Sequence, residues 1–243
     1  MSNTVSVIIP CYNEWARVAD LVHHVFSVFH NEVQVIVSDQ SKDQIIFSSL
    51  EYYFNNHNLH MMKDFIYTKS FGHCRAETMN QGANFATGDI VLFLHADNQL
   101  PIQAYEELKR IDLHMYCGWW FLKLYSPITF WTSIMTTFWN MRRMRSKQFF
   151  WDNAIWCSRK VFESLWWFPK MKLFEDVKFS QMMSDYAFSH KKGIFVSNYP
   201  TITSSRKYIE WWFRTIFRIQ MKLQILYKLG LYTDEFQNEY YKK

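Results

Sequence analysis

Short apolar runs alternate with amphipathic stretches through the first half of the chain. Val5–Ile9 (VSVII), Val33–Val37 and Ile90–Leu94 have strand length, and a weaker run covers Asp64–Thr68. Between them, Glu14–Phe29, Asp43–Asn55 and Ala76–Ala86 space their apolar residues at helical intervals, and Ile102–Lys109 continues the series. Strands that alternate with helices predict parallel β-α-β units, hence an α/β fold built on a doubly wound sheet.

The pattern then changes. Tyr116–Tyr125 predicts a further strand, Pro127–Arg145 a helix, Asn153–Ser158 a short strand, and a helix begins at Arg159. Phe174–Ser184 is helical, Gly193–Ser197 strand-like, and a long helix covers about Lys207–Leu229 with a short one near Asp234–Tyr241. The uncharged stretch Leu124–Met141 lies at the short end of a membrane span and contains Pro127, so a buried or interfacial helix is expected. With no linker or repeat, the expected organisation is one domain over 1–205, with a nucleotide-binding half at about 1–101 and an acceptor half at about 102–205. A C-terminal aromatic-basic helical extension covers 206–243.

Composition narrows the chemistry. The 243 residues are 49% hydrophobic and 20% charged, which are globular values. With only 6 glycines, no G-x-G-x-x-G and no G-x-x-x-x-G-K-[ST] can be written, disfavouring dinucleotide oxidoreductases and Walker-type phosphotransferases. The net charge of +5 suits an anionic ligand or membrane, but no basic run or recognised module supports nucleic acid. The 4 cysteines are scattered without a C-x-x-C, so reduced thiols in a cytosol are expected, and no secretory signal is read at the N-terminus.

The candidate chemistry sits where strands end. Gly88–Asp97 is an apolar run ending in His95-Ala96-Asp97, and in open α/β sheets ligands bind outside the carboxyl ends of the strands. A carboxylate there is a hard oxygen ligand for a cation bound to phosphates, although it also suits a helix or turn cap. Strand one ends in Pro10-Cys11-Tyr12-Asn13-Glu14. This is either turn chemistry with capping, or a cradle in which Tyr12 and the turn backbone hold a flat base and Glu14 a ribose or amide edge. Asp39, at the end of strand two, can accept from a uracil-like ring N–H or cap the next helix. Arg75 opposes the dipole of the helix it begins, so it answers either to a diphosphate or to an acid such as Glu77. Glu175-Asp176 begin a helix, where the dipole favours acids, and are the best candidates for a base that deprotonates a sugar hydroxyl. The basic and aromatic residues between Arg206 and Lys228 fit either an anionic membrane surface or one packed face with a solvated basic one.

The order of these motifs resembles the family 2 glycosyltransferases of GT-A fold. The resemblance rests on Val7–Glu14, then Asp39-x-Ser41-x-Asp43, Arg75…Met79-Asn80-x-Gly82, Phe93–Asp97…Leu100-Pro101, and Glu175-Asp176-Val177-x-Phe179. Trp151–Ile155 and Phe168-Pro169 to Phe179 look like the GDQG and GFP…LMEDVEFS segments of one bacterial subgroup, and Thr203–Lys207 like its TSARR. Departures from the family are His95 for the first Asp of D-x-D, although the subgroup itself commonly shows HAD, Ser38, Asn153-Ala154, and Trp166-Trp167 where the subgroup has Gly-Gly.

The resemblance implies a GT-A fold and a metal-dependent, inverting transfer from a nucleotide-diphospho-sugar, a UDP-sugar first of all, to a hydroxyl acceptor that is lipid-linked or part of a glycan. Pro10, Tyr12, Asn13, Glu14 and Asp39 would line the nucleoside site, and Arg75 and Arg206 would approach the diphosphate. Asp97, with His95 in the first position of D-x-D, would hold Mg²⁺ or Mn²⁺. Asp176 would be the base, with Glu175 beside it. The protein is expected in the cytoplasm, peripheral on the inner face of the membrane through its C-terminal helix. The alternatives are a degenerate member that binds nucleotide-sugar or a partner without catalysis, a nucleotidyltransferase, and a non-enzymatic membrane-surface module.

Overall fold

The computed structural model describes residues 2–30, 32–56, 64–146, 154–205 and 213–231. Arg206, the Trp151-Asp152-Asn153 segment, Trp211, Trp212 and the short helix expected near 234–241 lie outside the described residues.

An eight-stranded sheet organises the chain in the order β3-β2-β1-β4-β7-β6-β8-β5. Its first half follows the alternating pattern. β1 (Val5–Cys11), β2 (Gln34–Asp39), β3 (Phe65–Lys69) and β4 (Ile90–Phe93) are all parallel. Every residue of β1 is buried, as expected of a central parallel strand covered on both faces. The crossovers are α1 (Trp15–Val28), α2 (Ile45–Asn56) and α3 (Arg75–Ala83). α1 buries Val18, Leu21, Val22, Val25 and Phe26, one face at helical spacing. α3 lies close on the sheet because of Gly82: a Cβ there would come within 2.6 Å of Ile8 Cγ2 and 3.2 Å of Ser38 Cβ.

The second half contains β5 (Asn98–Gln99), α4 (Ile102–Arg110), β6 (Tyr116–Ser126), α5 (Phe130–Ser146), β7 (Ile155–Ser158) and α6 (Arg159–Ser164). α7 (Glu175–Ser189), β8 (Gly193–Ser204) and α8 (Phe213–Lys228) follow. β7 is antiparallel to both β4 and β6, so β6 runs parallel to β4, and β8 runs parallel to β6. The carboxyl ends of β1, β2, β3, β4, β6 and β8 therefore share one edge of the sheet. All the strand-end motifs lie on that rim.

Three details differ from the sequence reading. Pro10 does not end β1, which continues to Cys11. The Ile8 carbonyl accepts from Leu94 and the Cys11 carbonyl from Gln40, so strand alternation turns Pro10 toward β4, where the ladder has already stopped. β8 extends to Ser204, because it pairs with β6 on one side and with the unforeseen two-residue β5 on the other. α7 runs on to Ser189. Among the described residues, no helix is long and apolar enough to cross a membrane.

Candidate active site

The β1 and β2 ends are stitched into one floor. Gln40 N–H donates to the Cys11 carbonyl, Ser70 N–H to the Asp39 carbonyl, and Asn13 N–H to Ser41 Oγ at 2.8 Å. Asn13 holds the turn at φ 55°, a left-handed conformation that Asn tolerates better than most residues. Pro10 is buried beneath this turn, Tyr12 is exposed above it, and Glu14 caps α1 by position while reaching Arg17 at 3.9 Å.

Asp39 is fully buried, and both of its oxygens are engaged. Oδ1 accepts from Ser41 N–H at 2.8 Å, an Asx turn, while Oδ2 accepts from Tyr67 at 2.7 Å and from Lys69 Nζ at 2.9 Å. Burial pushes this carboxyl's pKa upward, but the donors from Ser41, Tyr67 and Lys69 outweigh it and hold the group below its ordinary value. The same burial, with the hydrogen bond to Asp39, drives Tyr67 far above the ordinary phenol range. Burial first, then Asp39 and Glu14, raises the Cys11 thiol, so Cys11 is no nucleophile. Tyr67 and Lys69 were not read as site residues. Their signal was available, since residues two apart in a strand share a face.

The second cluster joins chain segments a hundred residues apart. Arg75 Nε donates to Glu175 Oε1 at 2.5 Å, and Arg75 Nη2 lies 3.9 Å from Asp176 Oδ2. The acid that answers Arg75 is thus not Glu77, which instead accepts from His73 N–H and pairs with Lys170 at 3.5 Å. Both acids of the pair are buried at the start of α7, where the helix dipole and Arg75 offset their mutual repulsion. Glu175 Oε2 has no hydrogen-bond partner among the described residues. A buried carboxylate oxygen in that state is suited to a hydroxyl donor from outside the chain.

The loop before α7 is shaped by three aromatic residues in the left-handed region: Trp166 at φ 57°, Trp167 at 74° and Phe174 at 65°. The backbone thus has a glycine-like form at the two positions where tryptophan stands. Trp166 is 89% exposed, whereas Trp167 packs on Phe162 with ring centroids 5.6 Å apart. Asn80 of α3 brackets Phe168, donating to its carbonyl at 2.9 Å and accepting from its N–H at 3.0 Å. α8 closes over the acid pair through a small cluster of Leu173, Phe174, Val177 and Leu223, with the Phe174 and Tyr227 rings tilted against each other, centroids 4.6 Å apart. Burial, and then the charge of Asp176, raises the Tyr227 hydroxyl.

His95 and Asp97 follow β4 on the same rim, both partly exposed. Their turn is held by Asn98 N–H donating to the His95 carbonyl and by Ser204 N–H donating to the Asp97 carbonyl at 3.2 Å. Among the described residues, no three His, Cys, Asp or Glu side chains converge as a metal cage. The donor set fits a hard divalent cation only with the remaining ligands drawn from phosphate and water, the usual arrangement for Mg²⁺.

Comparison with known proteins adds the lineage. The family profile described as Glycosyl transferase family 2 matches residues 6–165. No curated protein matches in sequence. Among solved structures, the mannosyltransferase PcManGT from Pyrobaculum calidifontis, in complex with GDP-Man and Mn²⁺, aligns over 99% of this chain and 70% of its own, at 18% identity and a TM-score of 0.65. TarS from S. aureus aligns over 84% and 61%, at 18% identity and a TM-score of 0.59. Glucosyl-3-phosphoglycerate synthase from Mycobacterium tuberculosis, with Mn²⁺, UDP and glucosyl-3-phosphoglycerate, aligns over 95% and 81%, at 14% identity and 0.56. At such identities the likeness is one of fold, and the chain spans less than two thirds of the TarS structure.

Proposed function

Because the chain belongs to glycosyl transferase family 2 and is a glycosyltransferase, we propose that it moves a sugar from a nucleotide-diphospho-sugar to an acceptor hydroxyl with inversion. A UDP-sugar is the first choice of donor, and the acceptor is a lipid-linked or glycan hydroxyl. The observation that most supports this is the meeting of Arg75 with Glu175 and Asp176: a cation suited to phosphate and carboxylates suited to a proton occupy one cluster on the rim. The structural neighbours bound to GDP-Man or UDP with Mn²⁺ lend the donor class.

In this reading Asp176 takes the proton of the acceptor hydroxyl as its oxygen attacks the anomeric carbon from the face opposite the diphosphate. The bond to the diphosphate breaks, the nucleoside diphosphate leaves, and the proton remains on the carboxyl. Glu175 orients the hydroxyl through its bare Oε2, and Arg75 divides its charge between the acid pair and the diphosphate. Mg²⁺ or Mn²⁺ held by Asp97 with His95 would neutralise charge on the leaving group. The nucleoside lies over Pro10, Tyr12, Asn13 and Glu14, with Asp39 holding the floor rigid beneath them. Arg206 is assigned to the diphosphate on sequence grounds alone.

Residues 1–205 form the catalytic domain in this reading, and 206–243 form an extension whose helix covers the acid pair and offers Ile225, Leu229 and Leu231 to a membrane surface. The four free, buried cysteines suit a cytoplasmic setting. A second reading, nucleotide-sugar binding without turnover, is favoured by the closeness of Arg75 to Glu175. Thermal shift with UDP-, GDP- and dTDP-sugars plus Mn²⁺, followed by donor hydrolysis, tests both. The UDP-sugar should raise Tm most and be slowly hydrolysed. Binding without hydrolysis supports the second reading, and a flat response to every donor overturns both.

A further inference from the structure

From the seating of α5 we infer a bilayer-docking helix, whose outward face enters the headgroup region of an anionic membrane and holds the site rim beside it. α5 is anchored so that its orientation is not free. Thr129 and Thr132 cap each other's backbone N–H groups at 2.7 and 3.2 Å, a reciprocal box at the helix start. Asn140 accepts from Lys123 N–H at 3.0 Å and donates to the Lys123 carbonyl at 2.9 Å, while Met135 and Trp139 bury themselves with Tyr125 of β6.

The opposite face is apolar too. Phe130 is 73% exposed, and Ile134, Phe138 and Met141 repeat its direction at helical spacing, with Ile128 just ahead at 67%. Large aromatic and aliphatic side chains in a row on the surface mark an interaction site, not ordinary exposure.

Charge identifies the partner. No Asp or Glu occurs between Asp112 and Asp152, and the same helix continues into Arg142, Arg143 and Arg145, followed by Lys147. An apolar, aromatic stripe leading into a purely basic segment matches an anionic lipid surface, which attracts Lys and Arg near it. At 17 residues α5 is about 25 Å long, shorter than the roughly 30 Å hydrocarbon core, so it lies in the interface plane. Topology gives the docking its use. α5 leaves the carboxyl end of β6, on the edge that carries the ends of β1, β2 and β4. If the glycosyl-transfer reading holds, the acceptor class that follows is a hydroxyl borne on a lipid.

The test is co-sedimentation of the full chain with phosphatidylcholine vesicles, with and without phosphatidylglycerol, beside calorimetry with UDP and Mn²⁺. The expected result is binding to phosphatidylglycerol vesicles and at least tenfold less to phosphatidylcholine alone. Phe130→Ser/Ile134→Ser should lose at least tenfold in vesicle binding with Tm and UDP affinity unchanged, and Arg142→Gln/Arg143→Gln should lose the preference for anionic lipid. Failure of the wild-type chain to sediment with anionic vesicles overturns the inference, as does full binding by the double serine variant. So does a concentration-dependent dimer that this variant dissociates, since the face would then join protein to protein. Loss of UDP binding in the wild type would count against the glycosyl-transfer reading and leave the vesicle result standing.

Discussion

Among the described residues, two places in the fold hold buried carboxylates, and they treat them in opposite ways. At the end of β2, Asp39 accepts from a backbone N–H, a phenol and an ammonium, all supplied by neighbouring parallel strands and their turns. At the start of α7, Glu175 and Asp176 share one arginine, Glu175 Oε2 has no hydrogen-bond partner among the described residues, and the loop leading to them bends through left-handed aromatic residues. Asp39, whose two oxygens are both engaged by its own chain, ties the strand ends together. Asp176 Oδ1 accepts from Val177 N–H at 2.8 Å, so the oxygen suited to a hydrogen bond from outside the chain is Glu175 Oε2.

The contrast is broken most forcefully at Asp176. Asp176→Asn should lower turnover about 10²–10⁴-fold while leaving nucleotide binding within a few fold. If steady-state kinetics show unchanged turnover, the acid pair is architectural after all. Asp39→Ala should do the reverse, costing about 3 kcal/mol of stability in urea denaturation by stranding Lys69 and Tyr67. The sign with pH follows from its lowered carboxyl. Its contribution is present above the unfolded value of about 3.9 and is lost as pH falls through the folded value, so the variant should lose less stability on acidification than the wild type. Trp166→Gly is the smallest and most discriminating change. Its left-handed backbone strains a tryptophan that makes little contact, so glycine should stabilise the protein by about 1 kcal/mol in thermal unfolding. Trp167→Gly should destabilise it, because that indole packs on Phe162.

The same contrast explains what the sequence let one read. β1, β2, β4 and the helices between them were legible because each is an apolar run or stripe of the right period, closed by turn residues. β5 was not, since two residues have no period, and its pairing exists only because β8 runs far enough to meet it. The candidate site residues stood out as types at strand ends, and Glu175-Asp176 as acids at a helix start. Their partners were not. Arg75 had either a diphosphate or an acid such as Glu77 to answer to, and only the fold brings it to residues 175 and 176. Nor does a sequence of ordinary letters disclose that Trp166, Trp167 and Phe174 hold positive φ.

The proposed function turns on Asp97 and the rim that carries it, where this carboxylate would hold a cation together with a nucleoside diphosphate. Calorimetric titration of UDP into the wild-type chain and into Asp97→Asn, each with and without Mn²⁺, measures that linkage directly. The account predicts that Mn²⁺ tightens UDP binding at least tenfold in the wild type and that this gain disappears in the variant. Equal UDP affinity with and without Mn²⁺, or a gain that survives Asp97→Asn, would contradict it.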